Sequence, residues 1–270
     1  MNQPILVTGG TGNIGSRVVP LLCEAGQSVR ILTRHPHSDS PGIQHVVGDT
    51  AHGTGLADAF DGVGTILHLA GGAKGDDIAA GNVVSAAQKS QATHLVLISV
   101  VGADRMPIGY FRAKAAAEAA FADSGLPWTV IRVAQLHDLV LPVVRILRRM
   151  PFLLAPTGMQ FEPVDVAEVA RRLVELTLGV PSGRVADLAG PEVLDLPTLA
   201  VAYAETYGRR GRARLPLRLP GAVGRAYRSG ENLAGLDADR GTCTWREYLE
   251  RSARSGVTGS APTRPDARVG

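Results

Sequence analysis

Short runs of apolar, mostly β-branched residues alternate with longer amphipathic stretches through the first half of the chain. The runs predict six strands, at residues 5–8, 29–33, 45–47, 65–69, 95–100 and 129–132. Several of them, such as ILVT and LVLIS, are almost continuously apolar, which is typical of strands covered on both faces. The stretches between them predict helices at residues 13–25, 56–60, 79–89 and 113–124. This alternation predicts an α/β fold with a doubly wound, parallel sheet.

The regular alternation ends near residue 132, and a mainly helical region follows. An apolar helix is expected at residues 139–149 and a short strand at residues 161–163. An amphipathic helix is expected at residues 166–178, with Asp165 near its N-cap. From residue 197 to about residue 252 the chain predicts helices separated by Gly and Pro turns. We interpret this region as a smaller lobe over the carboxyl edge of the sheet.

Composition excludes several classes of protein. Of the 270 residues, 45% are apolar and 20% charged, as in a globular domain, and no apolar run is long enough for a membrane span. The first residues lack the pattern of a signal peptide, and two widely separated cysteines predict free thiols, so a cytoplasmic location is expected. A net charge of +3 argues against an obligate nucleic-acid binder. No histidine spacing predicts a metal site.

A glycine loop, TGGTGNIG, lies between the first strand and the first helix. Gly9 allows a tight turn, and Gly12 lets backbone amides approach a pyrophosphate closely. Gly15 lets the helix pack closely against the strand. The helix N-terminus adds unpaired amides and a partial positive charge. A dinucleotide is therefore expected on this loop, with Thr11, Asn13 and Ile14 among its contacts; a merely structural turn is the alternative.

The residues after the second strand predict which dinucleotide binds. A carboxylate there would hold a ribose 2′-hydroxyl, but the chain has Thr33 and Arg34. A guanidinium can grip a 2′-phosphate in two places, so NADP(H) is the expected cofactor and Arg34 its anchor. Asp49 and Thr50 follow the third strand, where Asp49 could accept a hydrogen bond from the adenine amino group or simply form a turn.

Tyr110 and Lys114 form the second candidate constellation. They are four residues apart at the start of an Ala-rich helix, after a strand that ends near Ser99. A nearby ammonium and a positive nicotinamide would lower the pKa of Tyr110. Tyr110 could then protonate a carbonyl oxygen as hydride reaches its carbon, with Ser99 hydrogen-bonded to the same oxygen and Lys114 also holding the nicotinamide ribose. The alternative is a tyrosine that only lines the pocket.

With these motifs the chain resembles the NmrA-like group of atypical short-chain dehydrogenases/reductases. The resemblance rests on TGGTGNIG, on TR after the second strand, and on LISVVGAD, YFRAKAAAE, SGLPWTVIRVAQLHD and PVDVAEVA further along. It implies a Rossmann fold, NADP(H), and reduction of a small carbonyl, enone or quinone. Two features depart from the typical pattern. Ser99 precedes Tyr110 by eleven residues rather than twelve to fourteen, and Leu69-Ala70-Gly71-Gly72 replaces the Asn-Ala-Gly loop, with Ala70 and Gly71 kept as expected cofactor contacts.

These expectations divide the chain into three parts. Residues 1–135 are the predicted NADP-binding Rossmann core and residues 136–255 the substrate lobe, from which residues 161–178 return to the core. Residues 256–270 lack periodicity and predict a flexible tail. Gln135 and His137 follow the sixth strand and are candidates to face a small-molecule substrate; capping or core contacts are the alternative.

Two groups of residues remain without a definite role. The apolar helix near residue 145 could line a hydrophobic pocket or form a homodimer face. Two basic clusters are interpreted first as solvated faces: Arg145, Arg148 and Arg149, and Arg209, Arg210, Arg212, Arg214 and Arg218.

Three functions therefore stay open. The first is an NADPH-dependent reductase of a small, largely apolar carbonyl compound. The second is a protein that senses NADP(H) and docks a regulatory partner. The third uses the same fold for epimerisation or cyclisation. The intact Tyr110–Lys114 pair favours the first.

Overall fold

The structure is a computed structural model that describes residues 3–72, 75–90, 92–150, 153–208 and 213–255. The predicted tail at residues 256–270 and three residues of the second basic cluster, Arg209, Arg210 and Arg212, lie outside the described residues.

The first half of the chain confirms the predicted alternation of strands and helices. Its elements are β1 (Ile5–Thr8), α1 (Gly15–Glu24), β2 (Val29–Thr33), β3 (Ile43–Val47), α2 (Leu56–Phe60), β4 (Thr65–His68), α3 (Asp76–Ser90), β5 (His94–Val100), α4 (Gly109–Ala122) and β6 (Trp128–Val133). Helices α3 and α4 begin earlier than the apolar periodicity predicts. The first turn of α3 carries Asp76 and Asp77, which are not apolar and so do not extend the apolar periodicity. Their negative charges nevertheless stabilise a helix N-terminus.

The strands form one large sheet in the order β13 (Asp239–Arg240), β10 (Leu188–Ala189), β6, β5, β4, β1, β2 and β3, and β9 (Gly183–Arg184) also pairs with β6. Every pairing in this sheet is parallel. The chain winds outward from β1 to β3, then crosses to β4 on the other side of β1. This reversal opens a crevice at the carboxyl ends of β1 and β4, which is where ligands bind in doubly wound sheets.

The second half contributes helices and short strands: α5 (His137–Leu147), β7 (Leu153–Pro156), β8 (Gln160–Phe161), α6 (Val166–Leu178), β9 (Gly183–Arg184), β10 (Leu188–Ala189), β11 (Leu194–Asp195), α7 (Leu196–Thr206), β12 (Arg214–Leu217), α8 (Gly221–Arg228), β13 (Asp239–Arg240) and α9 (Trp245–Arg254). Helix α6 has the predicted bounds, and Asp165 caps it by accepting the Ala167 N–H. Strands β8 and β11 form one small antiparallel sheet, and β7 and β12 form a parallel one.

Three of these short strands join the large sheet. Strands β9 and β10 pair with successive parts of β6, and β13 pairs with β10. Each contains two residues, too few to show a period of two in the sequence. The predicted boundary at residue 135 therefore does not divide the sheet, because three strands from beyond that residue belong to it.

Apolar side chains fill both faces of the sheet. Ile5 and Val7 on β1 belong to the cluster packed under α1 and α6, whereas Leu6 between them belongs to the cluster packed under α2, α3 and α4. A third cluster joins α5, α7 and α9 around Trp245. Among the described residues, no helix has the length and apolarity needed to cross a membrane.

Candidate active site

A cleft of about 560 Å³ lies at the carboxyl ends of the strands around β1. Its walls combine the loop after β1, the residues after β2 and β3, the loop after β4, and the start of α3. Of the residues predicted to bind the cofactor, all but Lys114 line it: Gly9, Thr11, Gly12, Asn13, Ile14, Gly15, Arg34, Asp49, Thr50, Ala70 and Gly71. The cleft thus gathers five separate sequence segments into one surface.

The glycine loop leaves no room for side chains at two of its positions. Gly9 has a φ of 72°, and a Cβ there would lie 2.7 Å from the Ala70 nitrogen. A Cβ on Gly15 would lie 2.2 Å from the Gly9 carbonyl oxygen. Within the part of the chain that the structure describes, no side chain caps the N-terminus of α1. Because the loop presents bare backbone at an uncapped helix N-terminus, it fits a dinucleotide pyrophosphate.

Arg34 lies at the end of the cleft formed by β2 and β3. Its side chain is exposed, and within the described part of the chain no carboxylate pairs with its guanidinium. Asp49 on the neighbouring strand end is already engaged, because it accepts the Ala51 N–H at 2.7 Å and lies 2.9 Å from His52 Nδ1. The hydrogen bond from His52 lowers the pKa of Asp49. This end therefore offers an unneutralised guanidinium to an anion.

The opposite end of the cleft contains a buried ion pair that the sequence analysis missed. Lys114 Nζ lies 2.8 Å from Asp76 Oδ2, and both side chains are nearly inaccessible to solvent. Asp76 also accepts the Gly72 N–H at 2.8 Å. A Cβ on Gly71 would lie 2.9 Å from Lys114 Nζ, and Asp76 lines the cleft, so the pair borders the cleft at this point.

Tyr110 lies on α4 one turn before Lys114, as the four-residue spacing predicts, and 36% of its surface is exposed. Its pKa is raised, first by burial of the phenol and second by the Asp76 carboxylate. The expected lowering of this pKa by Lys114 is therefore wrong for the protein's own charges, because Asp76 neutralises the ammonium. Ser99 Oγ is buried and has no hydrogen-bond partner among the described residues.

His68 is a second residue that the sequence analysis missed. It ends β4, and its Nδ1 shares a hydrogen bond of 2.7 Å with Thr8 Oγ1 at the end of β1. Burial lowers the pKa of His68 to about 4, and the Lys114 charge adds to this effect. The imidazole is therefore neutral at pH 7. It links the two strands that flank the crevice.

The structure places Gln135 and His137 outside the cleft lining. Gln135 Oε1 accepts the Glu162 N–H at 3.4 Å. His137 is 1% exposed, neither ring nitrogen has a partner among the described residues, and its ring lies 4.8 Å from that of Tyr248. Instead, Leu136 and Leu139 from the start of α5 line the cleft. The placement favours core contacts for both candidates, because α5 turns its apolar side chains toward the cleft.

The surroundings of His137 include two potential metal ligands. One atom each of His137, Asp165 and Cys243 lie within 4.8 Å of one another. Arg251 is ion-paired with Asp165, so a cation already neutralises this group. Burial raises the pKa of Cys243 to about 11, which keeps the thiol protonated.

The two buried histidines predict a stability that depends on pH. Burial lowers the pKa of His137 to about 4, as it does for His68, whereas an unfolded histidine has a pKa near 6.5. As the pH falls below 6.5 the unfolded chain takes up protons first, so stability is lost between pH 6.5 and 4. We expect the free energy of unfolding to fall by about 3 kcal/mol for each histidine by pH 4.

Denaturant unfolding at pH 7 and pH 4 measures this loss. His68→Gln and His137→Gln should each reduce the difference between the two pH values, whereas His35→Gln, at an exposed position, should not. An unchanged pH dependence in both buried variants would contradict the assignment.

The chain is similar to several known proteins. A family model described as NAD(P)H-binding matches residues 9–175. The (4-alkanoyl-5-oxo-2,5-dihydrofuran-3-yl)methyl phosphate reductase of Streptomyces griseus subsp. griseus is 29% identical over 214 residues, which are 76% of this chain and 74% of the relative. The NAD(P)H azoreductase of Xenophilus azovorans is 26% identical over 212 residues, which are 76% of this chain and 74% of that relative.

Solved structures share the fold. The triphenylmethane reductase of Citrobacter sp. superposes with a TM-score of 0.78 at 20% identity, covering 93% of this chain and 99% of the other. The NADPH complex of an Escherichia coli NADPH-dependent quinone oxidoreductase gives a TM-score of 0.75 at 20% identity, with 92% and 99% covered. Because the family model spans more than half of the chain, the protein belongs to the NAD(P)H-binding family that this model describes.

Proposed function

We propose that the protein is an NADPH-dependent reductase of a small, largely apolar carbonyl compound, enone or quinone, with Tyr110 as the proton donor. The observation that supports this most strongly is the polarity of the cleft. An unneutralised guanidinium lies at one end, the Asp76–Lys114 pair borders the other, and the glycine loop lies between them. Tyr110 precedes Lys114 by one turn of α4.

The chain's own groups divide the work of holding the cofactor. The amides at the start of α1 bind the pyrophosphate, Arg34 binds the 2′-phosphate, and Lys114 is close enough to the loop after β4 to bind ribose hydroxyls. When bound, the cofactor supplies a hydride to the substrate carbon. Tyr110 supplies the proton to the oxygen, so one hydride and one proton convert a carbonyl to an alcohol. One hydride and one proton likewise convert a quinone to a hydroquinone.

Tyr110 can act as a proton donor because its pKa lies above neutral pH, so its O–H is available when charge develops on the substrate oxygen. Burial and the Asp76 carboxylate raise that pKa, which makes the phenol a weaker acid. Because the ring is partly exposed, solvent can return the proton afterwards. Ser99 Oγ, buried and without a partner among the described residues, is available to donate a second hydrogen bond to that oxygen.

The first helix of the lobe supports an apolar substrate. On α5 the side chains of Val140, Leu141 and Val144 are buried, whereas Leu139, Val143 and Ile146 on the other face are exposed. Leu139 also lines the cleft, so this apolar face is continuous with it. The relatives' names refer to an alkanoyl furanone that carries a phosphate, to an azoreductase and to triphenylmethane dyes, and each of these compounds has an apolar alkyl or aromatic part.

One observation favours a second function, a protein that senses NADP(H) without catalysis. The Lys114 ammonium is already neutralised, so it does not activate Tyr110 as a free ammonium would. A panel of aldehydes, enones and quinones separates the two functions. NADPH oxidation that depends on one of these compounds supports the reductase. Tight NADPH binding without oxidation by any member of the panel would support the sensor.

Arg34 predicts the choice between the two nicotinamide cofactors. We expect NADPH to bind at least ten-fold more tightly than NADH, a difference of about 1.4 kcal/mol, because Arg34 pairs with the 2′-phosphate. Arg34→Ala should remove most of this preference and leave the dissociation constant of NADH nearly unchanged. Fluorescence titration with both cofactors measures it, and Arg171→Ala on α6 is the control for total charge. Equal dissociation constants in the unmodified protein would contradict this role.

A further inference from the structure

The ion pair between Asp76 and Lys114 is an unusual feature in the wall of an active-site cleft. Asp76 is 4% and Lys114 7% exposed, so both charges have lost most of their hydration. An ion pair this deeply buried adds little net stability, because the cost of desolvation offsets the attraction. Its position at the reacting end of the cleft calls for another explanation.

Asp76 connects three elements through one carboxylate. It is the first residue of α3, its Oδ2 pairs with Lys114 on α4, and its Oδ1 accepts the Gly72 N–H from the loop after β4. Gly71 permits this arrangement, because a Cβ there would lie 2.9 Å from Lys114 Nζ and 3.2 Å from Asp76 Oδ2. The cleft wall therefore touches the pair with bare backbone.

We propose that Asp76 is a positioning residue of the reductase site, which holds the Lys114 ammonium at the cleft wall and offsets the effect of its charge on Tyr110. The inference rests on the proposed function, in which Tyr110 is the proton donor. Asp76 then has two separable effects: an effect on geometry, which is the position of the Lys114 ammonium, and an effect on charge, which is the net charge that acts on Tyr110.

The charged surroundings of Tyr110 support the effect on charge. Its own helix contributes Lys114 and the exposed Arg112, α3 contributes Asp76 and the exposed Asp77, and β4 contributes His68. Burial holds His68 neutral, with a pKa of about 4. After burial, the Asp76 carboxylate is the second cause of the raised Tyr110 pKa. Removing that carboxylate leaves the ammonium unopposed, which favours tyrosinate.

Asp76→Asn tests the effect on charge in the full-length protein without substrate. The change keeps the size of the side chain and an oxygen for the Gly72 N–H, but it removes the negative charge. The tyrosinate absorption is titrated with pH in each protein and in the same protein carrying Tyr110→Phe. The difference between the two curves reports Tyr110 alone. We expect Tyr110 to titrate lower by about one pH unit or more than in the unmodified protein. An unshifted titration would overturn the effect on charge.

Asp77→Asn is the matched control. It removes a like charge from the next residue of the same helix turn, but Asp77 is exposed and forms no part of the ion pair. We expect no shift of the Tyr110 titration in this variant. An equal shift in both variants would mean that general charge, not the pair, sets the protonation of Tyr110, and would overturn the proposal.

The pH profile of turnover links the pair to the reaction. A proton donor loses activity as the pH rises through its pKa, so kcat in Asp76→Asn should decline at lower pH than kcat in the unmodified protein, with the displacement seen in the titration. A uniform loss at every pH, without displacement, would indicate a merely structural role and overturn the proposal.

Asp76→Glu tests the effect on geometry and provides a second variant if Asp76→Asn fails to fold. It keeps the charge, but the longer side chain displaces the carboxylate that meets both Lys114 and the Gly72 N–H. We expect kcat to fall at least ten-fold while the Tyr110 titration stays unchanged. Full turnover in Asp76→Glu would overturn the effect on geometry.

These outcomes are distinguishable from failure of the proposed function. If no carbonyl compound or quinone is reduced, the proposed function fails, but the tyrosinate titration of Asp76→Asn still reports the effect on charge. If the unmodified protein is an active reductase but Asp76→Asn leaves the Tyr110 titration unchanged, only the inference about Asp76 fails.

Discussion

Replacing Tyr110 with Phe is expected to lower turnover by about 10²–10⁴-fold, the usual contribution of general acid catalysis. The ring stays, together with its edge contact to Phe111, so packing is preserved and only the proton donor is lost. NADPH affinity should remain within about two-fold of that of the unmodified protein, because the phenol does not line the cofactor cleft. Steady-state NADPH oxidation with the best compound of the panel measures kcat, and fluorescence titration measures the affinity.

Tyr203→Phe on α7 is the control for loss of a tyrosine hydroxyl, since Tyr203 pairs with Tyr207 away from the cleft. Its turnover should match that of the unmodified protein. If Tyr110→Phe keeps turnover within about two-fold of the unmodified protein, Tyr110 is not the acid, and the proton must come from another group or from water.

A methyl group on Gly15 is expected to weaken NADPH binding by about 100-fold or more, equivalent to about 2.7 kcal/mol. The Cβ of Gly15→Ala would lie 2.2 Å from the Gly9 carbonyl oxygen and 2.5 Å from the Gly10 Cα. These are backbone atoms of the loop itself, so the loop must move, and its amides then no longer converge on the pyrophosphate.

Gly81→Ala provides the matched control. Gly81 lies inside α3, and a Cβ there meets no atom within 4 Å. This variant should bind NADPH normally and be more stable by up to about 1 kcal/mol, because Ala is the better helix former. Fluorescence titration and denaturant unfolding of the two variants test both statements. Normal NADPH binding by Gly15→Ala would show that the loop does not cradle the cofactor.

Local features of the sequence were sufficient to predict strands β1 to β6 and the residues that line the cleft around the glycine loop. The apolar runs mark β1 to β6 because each strand is long enough to be recognised alone. The glycine loop and Arg34 were recognisable for a related reason. Each acts through backbone or charge close to a strand end, and the sheet order alone brings them to one edge.

The Asp76–Lys114 pair could not be predicted in this way, because it depends on how α3 packs against α4. The only local sign of Asp76 is an acidic pair at the start of a helix, which suits the helix dipole in any protein. The predicted lowering of the Tyr110 pKa left out burial of the phenol, which is the largest cause of its rise, and the Asp76 carboxylate, which is the second. His137 was misleading for a similar reason, since a position after a strand end does not determine whether the side chain turns toward the cleft or toward Trp245.

The pairing of β9 and β10 with β6 bears on how the chain folds and on which pieces of it remain soluble. During synthesis, Trp128–Val133 is complete long before its partners at Gly183–Arg184 and Leu188–Ala189 exist. Until then this apolar strand is a free sheet edge, and such edges pair with edges of other chains. A fragment that ends near residue 135 would expose this edge permanently and invite aggregation. The last third of the chain thus protects the nucleotide-binding sheet from self-association.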